Sequence, residues 1–76
     1  MKNIDIKTTD FFDNFDKLNE NSVVLDFGAN IGDVTSTIYN KYKCYIHSYE
    51  PNIACYNFMR KRFSDKPKIK LYNNAV

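Results

Sequence analysis

Leu25-Asp26-Phe27-Gly28-Ala29-Asn30-Ile31-Gly32-Asp33 holds the only two glycines of the chain, and its reading decides the fold. The run before it, Val23-Val24-Leu25, is short, apolar and β-branched, the composition of a buried strand. After it, Val34, Ile38 and Tyr42 recur at helical spacing, which predicts a helix over 33–42. A strand that turns through glycine into a helix brings backbone within reach of a ligand, because a Cβ there blocks both the turn and the close approach. Downstream, a second strand over 44–49 ends in Glu50-Pro51-Asn52. Strand, glycine turn, helix, strand and terminal carboxylate form the layout of a site for an adenosine-containing cofactor.

The loop chemistry narrows the choice of cofactor. A dinucleotide fingerprint needs glycine at the first, third and sixth positions of the turn. Counting from Gly28, those positions hold Gly28, Asn30 and Asp33. A carboxylate at Asp33 opposes a pyrophosphate at the helix N-terminus. No Gly-Lys-Ser/Thr follows, so a Walker-type phosphate loop is also excluded. With Asp26 below and Asp33 above, the loop suits a cofactor whose nearby end is cationic, an ammonium or a sulfonium, as in S-adenosylmethionine.

The stretch from Val24 to Asp33, followed by Tyr49-Glu50-Pro51-Asn52 and then by Asn73-Asn74-Ala75-Val76, resembles the FkbM-type class I methyltransferases over residues 22 to 76. The turn of that family reads Asp-x-Gly-Ala-Asn-x-Gly, its second strand ends in Glu-Pro-Asn, and its third runs into a small-residue stretch. The resemblance implies that Gly28, Ala29, Asn30 and Gly32 wrap the methionine part of S-adenosylmethionine, and that Asp26 orients this loop and meets the amino end. It implies that Glu50 accepts the two ribose hydroxyls, which an ionised carboxylate with two oxygens and no donors matches well. Pro51 and Asn52 then lie beside ribose and adenine, with Asn74 a weaker candidate for the adenine edge. The implied activity is methylation of a hydroxyl on a small molecule or glycan. The residues do not identify the acceptor or any catalytic group.

Seventy-six residues make one small domain at most. Eleven Lys and Arg against nine Asp and Glu leave a formal charge of +2, too near balance to suggest a nucleic-acid partner. Arg60-Lys61-Arg62 reads as a solvated helix face. Cys44 and Cys55 have neither Cys-x-x-Cys nor zinc-ligand spacing and read as reduced thiols of a cytoplasmic protein, with no metal. No signal-peptide pattern and no apolar run of membrane-spanning length occurs, so no membrane partner is expected.

The rest of the chain completes an α/β expectation. Phe11, Phe12, Phe15 and Leu18 fall on one face of a predicted N-terminal helix over 10–19 with Thr9 as its cap, within a helical segment 1–21 that precedes the domain 22–76. Asn19 to Ser22 turn into a strand over 23–27. A second crossover helix is predicted over 52–63, with Ile53, Tyr56, Met59 and Phe63 toward the sheet, and it ends before Pro67. A third strand over 68–72 places Ile69 and Leu71 opposite Lys68 and Lys70. Right-handed crossovers give a Rossmann-like, partial doubly wound parallel sheet in the order three, two, one. His47 lies mid-strand, below the ligand end, and reads as structural.

A class I methyltransferase has about seven strands, and these residues account for three. The expectation is a cofactor-binding half without methyl transfer of its own, arising as a fragment, a split enzyme or a remnant. The free edge of the 23–27 strand is expected to pair with a second polypeptide or with another copy. Two other readings stay open: a non-catalytic module for an adenosine ligand or a partner, and a dinucleotide enzyme, which the glycine pattern disfavours.

Overall fold

The computed structural model describes residues 3–6 and 18–74. The elements run β1 (Asn3–Ile6), β2 (Val23–Phe27), α1 (Asp33–Tyr42), β3 (Tyr45–Tyr49), α2 (Ile53–Arg62) and β4 (Ile69–Tyr72). All neighbouring strands are parallel and stand in chain order, β1-β2-β3-β4. The expected order three, two, one for the 23–27, 44–49 and 68–72 strands is the same succession read from the opposite edge.

The first correction concerns β1. The segment 1–21 was expected to be helical and to stand apart, yet Asn3–Ile6 joins the sheet, pairing Asn3 with Val23 through Ile6 with Asp26. The edge of the 23–27 strand that was expected to be free is therefore covered, so pairing with another chain along that edge loses its basis. Asn3-Ile4-Asp5-Ile6 does carry the alternation of a strand, but four residues are too few to stand out from a polar N-terminus. The predicted helix over 10–19 lies outside the described residues up to position 17, while Leu18 and Asn19 are not helical.

Register explains the core. Val24, Ile46 and Ile69 occupy adjoining positions across three strands and are all buried. Ile38 of α1 and Met59 of α2, with Phe63 just beyond it, close over them in one cluster with Cys44. Both described helices thus cover a single face of the sheet. Strands laid down in sequence and joined by right-handed crossovers must do this, because each crossover steps in the same direction. The doubly wound arrangement would need helices on both faces. The opposite face carries a half-buried row, Phe27, Tyr49 and Tyr72, with ring centroids 5.3 and 4.6 Å apart. His47 joins it, its Nδ1 lying 2.8 Å from the Tyr72 hydroxyl.

Helix ends follow local chemistry. Asn52 caps α2 by accepting the Cys55 N–H through Oδ1. At the other end of α1, Lys43 takes φ 53 and donates its N–H to the Tyr39 carbonyl, a left-handed cap made without glycine. Ile53, predicted to face the sheet, is 57% exposed, because the inward side of α2 is set by Met59, and Phe63 just beyond the helix, and Ile53 falls away from that side. Cys44 and Cys55 are both free thiols, and burial pushes the Cys44 thiol up from its ordinary value.

Candidate functional site

The 28–32 loop follows β2, at the carboxyl end of the parallel sheet, where open α/β folds bind ligands. Its backbone is left-handed at three positions: Gly28 (φ 72), Asn30 (φ 55) and Gly32 (φ 92). The two glycines serve different ends. A Cβ on Gly32 would meet Phe63 Cε2 at 2.5 Å and Met59 Cγ at 3.2 Å, so this glycine lets α2 pack against the loop. A Cβ on Gly28 would meet nothing within 4 Å, so this glycine faces open space. Asn30 stands where other glycine turns carry a third glycine, and asparagine is the side chain that tolerates φ > 0 best.

Each loop segment is anchored by a later part of the chain. Gly28 and Ala29 both donate their N–H to the Tyr49 carbonyl, at 2.9 and 3.0 Å. Asn30 donates its N–H to Glu50 Oε1 at 2.7 Å, and Asn52 donates to Oε2 of the same carboxylate at 2.9 Å. Glu50 is 4% exposed. Its carboxylate therefore already ties the loop to the start of α2, although each oxygen keeps further lone-pair capacity for a ligand hydroxyl. Arg62 reaches back to donate to the Ile31 carbonyl at 3.1 Å and to Asp33 Oδ1 at 2.7 Å. Arg60, Lys61 and Arg62 are all exposed, as the sequence reading has it, and Arg62 in addition braces the loop.

A cavity of about 90 Å³ lies inside this bend, lined by Asp26, Gly28, Ala29, Asn30, Ile31, Asp33 and Val34. Both acidic residues flagged in the sequence border it, but they differ. Asp33 is largely exposed and paired with Arg62. Asp26 is 5% exposed, and among the described residues no cation pairs with it. Thr35 Oγ1 donates to Asp26 Oδ2 at 2.8 Å, and the Ser48 hydroxyl lies 2.7 Å from Thr35 Oγ1. Desolvation raises the Asp26 pKa, the Thr35 bond opposes this, and the nearby charge of Glu50 raises it further. Beside the cavity, α1 begins at Gly32 without a side-chain cap and carries Asp33 in its first turn.

The loop residues Asp26, Gly28, Ala29, Asn30 and Gly32 therefore meet in one place, with Glu50 bound to them. Pro51 and Asn52 follow on the surface, exposed. Asn74 is exposed and makes no contact with this group, while its neighbour Asn73 donates to the carbonyls of Glu50 and Pro51 at 3.0 and 3.1 Å. Thr35 and Ser48 went unmarked in the sequence, Arg62 was read only as part of a solvated face, and Asn73 only as part of the stretch 73–76. A threonine on the inward stripe of α1 and a serine inside an otherwise apolar strand were the available signals, since buried hydroxyls need partners. Among the described residues no group of His, Cys, Asp and Glu is arranged to hold a metal ion, and no helix is long and apolar enough to cross a membrane. No protein-family model matches the chain, and no curated protein matches it.

Proposed function

We propose that the 26–35 region binds the amino-acid end of S-adenosylmethionine and that the chain carries the cofactor-binding part of a class I methyltransferase. One observation carries this reading: a buried carboxylate, Asp26, borders a small cavity at the carboxyl end of a central strand and has no cation paired with it among the described residues. A buried charge without a partner costs stability, so its retention points to a partner that comes and goes. The ammonium of an α-amino acid head group supplies the missing charge to Asp26. The cavity has room for such a head group and not for a whole nucleoside. The adenosine end then falls to Glu50, Pro51 and Asn52 at the end of β3.

The cofactor supplies an activated methyl group on a sulfonium; these residues hold and orient it. Among the described residues, no side chain lining the cavity could orient a methyl acceptor, so these residues support binding rather than turnover. The acceptor, a small molecule or glycan hydroxyl, belongs to the resemblance alone. A purely ligand-binding or partner-binding module is the second reading, favoured by that same lack of an acceptor group. Calorimetric titration with S-adenosylmethionine and with NAD tests the proposal. Binding of the first, its loss in Asp26→Asn and indifference to NAD are expected. No heat with S-adenosylmethionine, or equal affinity for NAD, overturns it.

A further inference from the structure

We propose that Thr35 and Ser48 are positioning residues for Asp26, a two-hydroxyl chain that favours its ionised form against the penalty of burial and fixes one carboxylate oxygen so that the other is left for a ligand. The inference rests on the head-group reading above. All three side chains are buried: Thr35 and Ser48 are fully inaccessible and Asp26 nearly so. Asp26 and Ser48 stand opposite each other in register on β2 and β3, and Thr35 comes down on the pair from α1. A hydroxyl has a single proton. When Thr35 gives that proton to Asp26 Oδ2, the bond between Thr35 and Ser48 must be donated by Ser48. The chain then runs Ser48 to Thr35 to Asp26, and every proton in it points at the carboxylate. Among the described residues Asp26 Oδ1 accepts no hydrogen bond from the protein, and Asp26 is one of the residues that line the cavity.

The alternative residues show that this arrangement is specific. Valine has the shape of threonine and suits the buried inward stripe of α1 without needing a partner, and alanine at position 48 would do the same in β3. Two hydroxyls in a core this small are explained by the acid they serve. The other charged groups near Asp26 do not replace them. Glu50, at the end of β3, is itself negative and works against ionisation. Asp33, on α1, is held outward by Arg62. On β1 the register partner of Asp26 is Ile6, and Asp5 pairs with Leu25 instead. His47 and Lys70 are in register with Leu25, one residue removed from Asp26 and so on the opposite face of the sheet.

The test reads Asp26 directly. Carbon-detected NMR titration of the Asp26 carboxyl in the ligand-free chain is compared among wild type, Thr35→Val, Thr35→Ser and Ser48→Ala. The expected result is a titration midpoint moved upward in Thr35→Val, moved upward less in Ser48→Ala, and restored in Thr35→Ser. Affinity for S-adenosylmethionine at neutral pH should fall about tenfold in Thr35→Val and recover in Thr35→Ser, the size expected for one hydrogen bond to a charged group. A midpoint identical in all four chains overturns the inference, as does Thr35→Ser behaving like Thr35→Val. If Thr35→Val does not fold, Ser48→Ala and Thr35→Ser decide between the same outcomes. Should the cofactor fail to bind any variant, the head-group reading falls, while the carboxyl titration still decides whether the hydroxyls control Asp26.

Discussion

Replacing Glu50 tests how far the loop depends on one carboxylate. Its two oxygens accept the N–H groups of Asn30 and Asn52, at 2.7 and 2.9 Å, from a position that is 4% exposed. A hydrogen bond to a charged group contributes about 1.5–3 kcal/mol. Asn30 and Asn52 are themselves exposed, so water can reach their amides once the carboxylate is gone. That places Glu50→Ala nearer a total of about 2–3 kcal/mol than the full sum of two bonds. A chain this short has about 4–11 kcal/mol of stability in all, so the loss is a large share, equivalent to about 10–20 °C in Tm. Glu50→Gln separates bonding from packing. It has the same volume but only one acceptor oxygen, so one of the two backbone donors must face an NH2 group. Denaturant unfolding of the three chains, with amide exchange followed at Asn30, is the assay. The expected order is wild type, then Glu50→Gln, then Glu50→Ala, with Asn30 protection falling in step. Equal stability of wild type and Glu50→Gln, with an Asn30 amide that exchanges freely in both, would refute the strap.

Asp26→Asn should raise stability at neutral pH while abolishing cofactor binding. Burial raises the Asp26 pKa from its ordinary 3.8, so the native state favours the protonated acid; that contribution is complete below 3.8 and is lost as pH rises through the raised native value. The mutant's advantage should therefore shrink as pH is lowered, which thermal melts at neutral and acid pH will show. Gly32→Ala drives a methyl to 2.5 Å from the Phe63 ring at φ 92 and should cost about 2–4 kcal/mol from overpacking and left-handed strain together. Gly28→Ala meets no atom and should cost only the strain, about 1–2 kcal/mol; similar losses in the two would refute the distinction. At φ 55, Asn30→Gly should fold normally, whereas Asn30→Val should lose about 1–2 kcal/mol, checked by the same melts.

The helices and the three strands after residue 22 were legible because each combines an apolar run with a punctuating residue. Gly28 and Gly32 bracket the first turn, Pro51 and Asn52 open α2, and Pro67 follows its end. The loop as a glycine turn at the carboxyl end of its strand was legible for the same reason, since both glycines of the chain fall within it. Contacts made at long range were not legible. Arg62 reaching across 31 positions to the Ile31 carbonyl looks in sequence like any basic residue near a helix C-terminus. Thr35 and Ser48 meet only because two elements cross. Strand β1 was missed because its alternation runs for only four residues, too few to stand out before its pairing with β2 is known.

Among the described residues, the braces on the loop come from residues that follow it in the chain: Tyr49, Glu50, Met59, Arg62 and Phe63. The consequence is kinetic. Closing these contacts requires β3 to pair and α2 to dock first, so the loop is assembled late, after the loop-closure entropy of the framework has been met. Substitutions at Glu50 and Gly32 should accordingly leave the folding rate almost unchanged and express their destabilisation as faster unfolding. During synthesis, the glycine turn leaves the ribosome well before Arg62 exists to hold it. Left-handed backbone at three positions is thus a product of completed tertiary structure, and a chain shortened before Phe63 should contain the motif in sequence without containing the site.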